Sequence, residues 1–352
     1  MKRLASLDAL RGCTVAAMLL VNDPGDWGHV YWPLDHATWN GCTPTDLVFP
    51  FFLFVVGVSV ALATLPRREQ GVDRAALTDA VLKRAVRIVG LGVLINLLAW
   101  WWMPGAHLRF PGVLQRIGVC YAGVALFALY TRPRTQWVAV AVVLLGYWGL
   151  LCYGGSLEPW TNIVSRIDSA VFGRFAYLID PFSGRGHDPE GLLGTLPSLA
   201  TALLGLRAGS WLRIGKCRSL LIGGVLSLLL GALWSWWLPF NKNLWTPSFV
   251  LWTAGWATLA LLVFHRLIDR RGWPAWGRCF GVNAIAAYAG SELMQILLPG
   301  LGQEWLYRHL FAGWMTPQFG PCIPSLAFAV VFVAVWWVIV RAMDRQRIYL
   351  KL

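Results

Sequence analysis

Ten apolar stretches, each close to 20 residues long, recur at intervals of about 35 residues along the 352-residue chain. An α-helix needs roughly 20 mostly apolar residues to cross a bilayer. Only 13% of the residues are charged, about half the share typical of a soluble domain. We therefore predict an all-α, polytopic membrane helix bundle that forms one domain over residues 1–352. The ten predicted transmembrane helices cover residues 7–22, 45–65, 82–103, 112–131, 136–154, 191–211, 217–238, 245–265, 279–299 and 323–343.

The basic residues outside these stretches fall mostly on one side of the predicted bundle. Ten spans place both termini on the same side. Of the 30 Lys and Arg residues, six lie in loops opposite the termini, Arg11 and Arg116 lie within the spans, and the remaining 22 lie on the side of the termini, in loops or at the ends of spans. Because cytoplasmic loops carry the Lys and Arg excess, we predict cytoplasmic termini and a multi-pass protein of the bacterial inner membrane. The net charge of +13 thus reflects topology, and nucleic acid is not an expected partner.

The segment between the first two spans is polar, aromatic and rich in Gly and Pro. Residues 23–44 carry His29, His36 and three Asp residues, and they follow Asn22 at the end of the first span. The predicted topology places this loop on the side away from the cytoplasm, together with a second long loop at residues 155–190. Loops of this composition hold functional groups more often than they hold cores.

Ionisable and amide side chains inside the predicted spans are costly in lipid, so each is a candidate functional residue. Asp8 and Arg11 lie three residues apart on one face of the first helix, as a structural ion pair or as part of an anion-binding site. Arg116, about one turn into its helix, is a candidate to line a polar cavity. Glu292 and Asn283 lie in a span rich in Gly and Ala, which allows close helix packing. Glu292 is expected to face protein or water, as a catalytic group or as a partner of Arg116.

His36 has the most polar surroundings of the histidines. Asp35 precedes it, Asn40 follows four residues later and Asp46 ten residues later. Histidine is the side chain best suited to move protons near neutral pH. Asp46 opens the second predicted span, where it either caps the helix or takes part in the chemistry.

Seven stretches, in order over nearly the whole chain, carry a resemblance to a known family. They are SLDALRG at 6–12, LLVNDPG at 19–25, LDHATWNGCTPTDLVFPFFLFVVG at 34–57, PGVLQRIGV at 111–119, DPEGLLGTLPS at 188–198, NKNLW at 241–245 and GVNAIAAYAGSE at 281–292. The chain resembles the heparan-alpha-glucosaminide N-acetyltransferase family and is closest in size to its bacterial NagX-type membrane branch.

The resemblance implies a transmembrane acetyl transfer. Acetyl-CoA would be supplied from the cytoplasm, and the amino group of a glucosamine unit would be acetylated on the periplasmic side. The family's active-site histidine falls on His36 and its essential asparagine on Asn22. Lysosomal members carry an additional lumenal domain before the first span, whereas Met1 here almost adjoins that span. This difference favours a small sugar or oligosaccharide acceptor over heparan sulfate.

Acyl transfer to an amine needs a base for the amine proton and donors for the oxyanion on the thioester carbonyl. His36 can supply the base, Asn22 and loop N–H groups the donors, and Asp35 or Asp46 can fix the imidazole tautomer. Alternatively, His36 itself carries the acetyl group in a covalent route. The sequence leaves both routes open, with His36, Asn22 and Asp46 as the predicted catalytic residues.

Other polar residues, most of them in the resembling stretches, are the predicted ligand contacts. Those expected to bind the sugar acceptor are Asp35, Asn40, Arg116, Asp188, Glu190, Asn243 and Glu292. Since the phosphates of acetyl-CoA need cations at the cytoplasmic face, those expected to bind the donor are Arg11, Lys83, Arg84, Arg87 and Asn283. The basic residues among them also fit the ordinary positive excess on that side. No metal is expected, because the seven cysteines are scattered without metal-binding spacing.

Two other functions remain compatible with the sequence. Ten spans, buried charges and Gly-rich helices suit a sugar permease. An O-acetyltransferase of a surface polysaccharide shares about ten spans and an early histidine. A permease predicts uptake of unmodified sugar without acetyl-CoA, whereas an N-acetyltransferase distinguishes glucosamine from N-acetylglucosamine. A homodimer in the lipid bilayer is compatible with each of these functions.

Overall fold

A computed structural model describes residues 4–350 of the chain. These residues fold almost entirely into α-helices, which confirms the all-α prediction. Their one hairpin pairs β1 (Leu178–Ile179) antiparallel with β2 (Gly186–His187). The helices are α1 (Ala5–Asn22), α2 (Val48–Glu69), α3 (Arg74–Trp102), α4 (Val113–Tyr130), α5 (Pro133–Gly154), α6 (Ile163–Phe172), α7 (Thr195–Arg213), α8 (Cys217–Trp234), α9 (Pro247–Phe264), α10 (Arg278–Val282), α11 (Ala284–Leu297), α12 (Gln303–Tyr307), α13 (Gly313–Phe319) and α14 (Cys322–Arg345).

Within residues 4–350, seven helices are long and apolar enough to cross a membrane. They are α1, α2 with the 3-10 turn before it, α4, α5, α8, α9 with the π-helix after it, and α14. The other three predicted spans coincide with α3, α7 and the pair α10–α11, so the number ten stays a prediction. The prediction of one continuous helix over residues 279–299 is wrong, because the chain leaves helical geometry at Asn283 (φ −116°, ψ 31°).

The interruption at Asn283 follows from a very close contact between α10 and α1. A Cβ atom on Gly12 would lie 1.8 Å from the carbonyl oxygen of Gly277. One on Gly281 would lie 1.7 Å from the carbonyl oxygen of Asp8. Small residues of this kind let membrane helices approach backbone to backbone. The break lets α10 lie against α1 while α11 continues along α3.

The ends of the helices lie on two opposite faces of the bundle. The terminus face holds the start of α1 and the end of α14, and there Arg213 at the end of α7 pairs with Glu69 at the end of α2. The loop face, on the opposite side, holds residues 23–44 and 155–194. On this face Gly25 donates its N–H to the carbonyl of Ser325, just inside α14. This alternation fits a chain that crosses the bundle repeatedly.

The orientation of these faces relative to the membrane stays a prediction. Three of the charges on which it rests, Lys2, Arg3 and Lys351, lie outside the described residues. The outer helices fit a lipid environment, since α8 leaves Leu226 and Leu229 on the surface of the bundle.

At the centre of the bundle, α2 and α7 run parallel in direct backbone contact. A Cβ atom on Gly57 would lie 1.9 Å from the carbonyl oxygen of Ala202, and one on Gly205 would lie 2.0 Å from that of Phe54. Both helices begin on the loop face. Their contact therefore brings the turn before α2 and the loop before α7 together on that face.

Candidate active site

His36 and Asp46 form the centre of a polar site on the loop face. His36 lies in the loop of residues 23–44, and Asp46 lies in the 3-10 turn Thr45–Leu47 that leads into α2. The imidazole Nδ1 is 2.8 Å from Asp46 Oδ1. The Asp46 side chain is 1% exposed and that of His36 39% exposed. A buried carboxylate that accepts from Nδ1–H leaves the lone pair on Nε2, so the pair presents a base toward the loop face.

The second carboxylate oxygen of Asp46 holds the loop in place. Oδ2 accepts from the backbone N–H of Ala37 at 3.1 Å and of Thr43 at 3.0 Å, and from the Thr43 hydroxyl at 3.1 Å. The bond that the Thr43 N–H donates to this carboxylate resembles half of a capping box. Asp46 therefore both orients the imidazole and ties the loop to the turn before α2. Asp35, by contrast, is exposed and accepts from the backbone N–H of His36 at 2.8 Å.

Lys242 joins this pair from a distant part of the chain and was not predicted from the sequence. Its Nζ lies 3.1 Å from Nδ1 and 3.2 Å from Nε2 of His36, and 3.8 Å from Asp46 Oδ1. The only sequence signal near it was the stretch NKNLW, from which Asn243 was selected instead. Burial lowers the pKa of Lys242 below its ordinary value, although the charges of Asp46 and Glu190 act to raise it.

The turn that carries Lys242 is tied to the loop of His36. Asn241 accepts from the Leu244 N–H at 2.8 Å through Oδ1 and donates through Nδ2 to Oδ1 of Asn40 at 3.0 Å. Asn40, predicted to bind the acceptor, thus connects the two loops. Asn243 is half-buried beside Lys242, and its predicted role in acceptor binding stays a prediction.

A cluster of ion pairs involves two carboxylates in the loop just before the start of α7. Arg109 donates Nε to Asp188 Oδ2 at 2.9 Å and Nη2 to Oδ1 at 2.5 Å, and the same Nη2 contacts Glu190. The side chain of Asp188 is fully buried and that of Glu190 is 10% exposed. Burial acts to raise the pKa of Glu190, but the charges of Arg109, Arg116 and Lys242 outweigh it and hold that pKa below its ordinary value. The two arginines and Lys242 thus all stabilise the charged form of the Glu190 carboxylate.

Arg116 is only 2% exposed and contacts a backbone carbonyl and an indole ring. Its Nη2 donates to the carbonyl of Gly191 at 3.1 Å, and the guanidinium lies 5.2 Å from the ring centre of Trp245. Among residues 4–350, its Nε and Nη1 have no hydrogen-bond partner. Glu292 interacts instead with the hydroxyl of Tyr288. The Nε and Nη1 N–H groups of Arg116 thus remain as buried donors for a ligand.

His187 and Asp168 are buried residues of the long segment before α7. His187 is 1% exposed, with Nδ1 3.0 Å from Ser165 Oγ and its ring 5.4 Å from that of Trp39. Burial lowers the pKa of His187 to about 4, so it is neutral near pH 7. Asp168 accepts from the backbone N–H of Asp188, and burial raises its pKa to about 6. Since these groups are enclosed by protein, they fix the loop that holds Asp188.

Asn22 is the last residue of α1, and α1 packs against the turn that contains Asp46. Gln295 donates to the carbonyl oxygen of Asn22 at 3.3 Å and to Oδ1 of Asp23 at 2.6 Å. Burial raises the pKa of Asp23 to about 8, although the bond from Gln295 acts to lower it. Asn22 thus ends a helix that packs against the turn of Asp46, while its catalytic role stays a prediction.

A cavity of about 590 Å³ enters the bundle from the terminus face. Leu4 and Leu350 line it at that face, and Leu114, Ile117 and Tyr288 line it deeper in the bundle. Its walls are mostly apolar. The deep end borders the helical turns of α4 and α11 that carry Arg116 and Glu292.

The cavity separates the predicted donor contacts into two groups. Arg11 and Arg84 line it, whereas Lys83 and Arg87 are exposed on α3 and are not part of its lining. Asn283 is 1% exposed between two lining residues, and both polar atoms of its amide have no hydrogen-bond partner within residues 4–350. An unpaired buried amide is costly, which makes Asn283 a candidate ligand contact.

Comparison with known proteins identifies related sequences. The sequence pattern described as "Heparan-alpha-glucosaminide N-acetyltransferase, catalytic" matches residues 3–221. The chain is 28% identical to the heparan-alpha-glucosaminide N-acetyltransferase of Homo sapiens over 418 residues, covering 99% of this chain and 60% of the human protein. It is 28% identical to the Mus musculus protein of that name over 365 residues, covering 84% of this chain and 54% of the mouse protein.

The chain therefore spans a little over half the length of these two relatives. The matched pattern covers residues 3–221 and includes His36, Asp46, Arg109 and Glu190, while Lys242 lies beyond it. Because this match extends over more than half of the 352 residues, the chain belongs to the heparan-alpha-glucosaminide N-acetyltransferase family.

Proposed function

We propose that this protein transfers the acetyl group of acetyl-CoA to the amino group of a glucosamine-type sugar, with His36 as the general base. The observation that carries the proposal is the 2.8 Å contact between His36 Nδ1 and the buried carboxylate of Asp46. It leaves Nε2 of a partly exposed imidazole as a proton acceptor. The relatives' name, an N-acetyltransferase of a glucosaminide, supports the acceptor class.

The donor would enter from the terminus face. The cavity of about 590 Å³ lies within the range of small-molecule sites, which is roughly 300–1,000 Å³. Its apolar walls suit a pantetheine arm, and the guanidinium groups of Arg11 and Arg84 suit the phosphates of CoA. The buried amide of Asn283 offers a donor and an acceptor to the amides of that arm. We place this face in the cytoplasm of a bacterial inner membrane, because it carries the excess of Lys and Arg.

The acceptor would approach His36 from the opposite, loop face. The sugar amine attacks the thioester carbonyl carbon, and the electrons of the C=O bond move to the oxygen. Nε2 of His36 takes the proton of the amine. The C–S bond then breaks, its electron pair leaves with the sulfur of CoA, and the carbonyl re-forms as an amide. Asp46 holds Nδ1 and stabilises the imidazolium formed on the way.

The sugar ring would be held by the charged groups beside this dyad. Glu190 is ionised and partly exposed, so it can accept hydrogen bonds from sugar hydroxyls. The unpaired N–H groups of Arg116 can donate to ring or hydroxyl oxygens. Bonds of this kind discriminate strongly between sugars, because a buried polar group left unpaired by the wrong sugar is costly.

The test is incubation of the purified protein with radiolabelled acetyl-CoA, with and without glucosamine. We expect label on the sugar nitrogen, and its loss in His36→Ala. The matched control is His29→Ala, which removes the other histidine of the same loop. His29 is exposed and pairs with Asp26, so we expect this variant to retain activity.

Other results would separate the alternatives. Label on N-acetylglucosamine would indicate O-transfer, and label on His36 without an acceptor would select the covalent route. Uptake of unmodified sugar into proteoliposomes without acetyl-CoA would indicate a permease. If neither sugar nor protein becomes labelled, the proposal is wrong.

A further inference from the structure

We propose that the ammonium group of Lys242 stabilises the oxyanion that forms on the acetyl carbonyl during transfer. This inference rests on the proposed function and assigns a catalytic role to a residue outside the matched family pattern. It is carried by the position of Nζ, 3.1 Å and 3.2 Å from the two ring nitrogens of His36, and by the rigid turn that holds Lys242 there.

The turn that bears Lys242 is fixed to its surroundings by buried groups. Trp245 is 1% exposed and has a left-handed backbone (φ 52°), which is rare for a bulky residue and persists only where its surroundings impose it. Its indole N–H donates to Thr201 of α7 at 3.2 Å. On the other side, the Gly41 N–H donates to the carbonyl of Phe240 at 2.7 Å. A lysine that only contributes to the solvent-exposed surface does not require a turn that is held in place by buried contacts of this kind.

The contact between Lys242 and His36 differs from an ordinary hydrogen bond. Because the in-plane directions of the two ring nitrogens diverge, an ammonium in line with Nε2 would lie much farther from Nδ1. The almost equal distances therefore place Nζ out of the plane of the imidazole, over the face of the ring. Nδ1 already faces Asp46. The ammonium is thus held next to the base without being aligned with its lone pair.

Lys242 forms an ion pair with Asp46 but donates no close hydrogen bond to it. Both oxygens of that carboxylate already accept hydrogen bonds, Oδ1 from His36 and Oδ2 from Ala37 and Thr43. The nearest approach of Lys242 to the carboxylate is 3.8 Å. The N–H groups of the Lys242 ammonium are therefore not taken up by hydrogen bonds to Asp46, and they can donate to another negative group.

The chemistry requires a hydrogen-bond donor or a cation at this distance. In the tetrahedral intermediate, the oxyanion and the attacking nitrogen are bonded to the same carbon. Because that nitrogen gives its proton to Nε2 of His36, the donor for the oxyanion must lie within a few ångströms of Nε2. The side chain of Lys242 is flexible enough to swing from the imidazole to the oxygen. Lys242 keeps its proton throughout, and the negative charge leaves with the sulfur of CoA.

The test compares Lys242→Met with Lys242→Arg, and it uses Lys216→Met on the exposed turn between α7 and α8 as the matched control. For Lys242→Met we expect kcat to fall by about 100-fold or more, with the KM values for acetyl-CoA and glucosamine within about threefold of wild type. We expect Lys242→Arg to restore kcat to within about tenfold of wild type, because a guanidinium keeps the charge. Lys216→Met should match wild type.

Unchanged kcat in Lys242→Met would overturn the inference and leave the proposed function intact. A raised KM at constant kcat would also overturn it, since the lysine would then bind the ground state. Unfolding of both Lys242 variants in a thermal melt would assign Lys242 a structural role instead. Failure of the wild-type protein to transfer acetyl groups would be a failure of the proposed function itself.

Discussion

Nδ1 of His36 lies 2.8 Å from Oδ1 of Asp46, whose other oxygen accepts from the backbone N–H groups of Ala37 and Thr43. In Asp46→Asn, the amide oxygen can keep the backbone bonds, and the NH₂ group would then face Nδ1. The imidazole would adopt the other tautomer and lose its lone pair at Nε2. We expect kcat to fall by about 10³- to 10⁴-fold with little change in the thermal midpoint.

The matched control is Asp26→Asn, because Asp26 also pairs with a histidine of this loop but both side chains are exposed. We expect Asp26→Asn to retain the wild-type kcat. Equal activities of the Asp46 and Asp26 variants would show that Asp46 only holds the loop in place.

Donor binding can be tested with two arginines on the same helix. Arg84 lines the cavity, 5.0 Å from the ring centre of Tyr121, whereas Arg87 is exposed outside it. Losing one charge-assisted bond costs about 1.5–3 kcal/mol, so Arg84→Gln should raise the KM for acetyl-CoA by at least about tenfold. Arg87→Gln should leave it near the wild-type value. A larger effect at Arg87 would move the donor site to the surface of α3.

The ion pairs in front of α7 predict a large effect on stability. Arg109→Ala leaves the fully buried carboxylate of Asp188 without its bidentate partner. Removing one member of a buried pair costs about 3–5 kcal/mol. We expect the free energy of unfolding in detergent to fall by about 3 kcal/mol. Arg185→Ala, in the exposed part of the same loop, should change it by less than about 0.5 kcal/mol. Similar values for both variants would contradict the assignment.

The raised pKa of Asp23 predicts that the stability of the protein depends on pH. Burial raises its pKa in the folded protein to about 8, whereas an unfolded aspartate titrates near pH 4. The folded state therefore holds the proton more tightly, and the stability that Asp23 contributes below pH 4 is lost as the pH rises to about 8. Asp23→Asn cannot ionise, so its melting temperature should fall several degrees less between pH 5 and pH 9 than that of wild type.

The control for this measurement is again Asp26→Asn. The hydrogen bond from His29 holds the pKa of Asp26 below its ordinary value, so its contribution changes only below about pH 4. Between pH 5 and pH 9 this variant should follow the wild-type curve. An identical pH dependence in Asp23→Asn and wild type would show that Asp23 is ionised in the folded protein.

Local sequence patterns predicted the features that lie close together along the chain. Apolar length identified the helices, and ten residues separate His36 from Asp46 in one loop and one turn. The sequence therefore predicts Asp46 as a catalytic partner of His36, with Asp35 as the alternative carboxylate, and in the structure Asp35 accepts from the backbone N–H of His36.

Contacts between distant segments could not be predicted in this way. Lys242 is separated from His36 by 206 residues, and a lone lysine in a loop carries no pattern of its own. In the sequence, Arg109 is one more basic residue of a loop, whereas in the structure it binds Asp188 and Glu190. The break at Asn283 depends on how closely Gly281 approaches Asp8, a tertiary contact that apolar length does not encode.

The parallel contact between α2 and α7 has a consequence for how the protein loses activity on heating. Gly57 and Gly205 join these helices backbone to backbone, and the two segments that carry Asp46 and Glu190 are extensions of the same pair. Tightly packed elements of a core are among the last to open in a folded protein. Catalytic activity and helical signal should therefore disappear at the same temperature, instead of activity being lost first through fraying of the loop face.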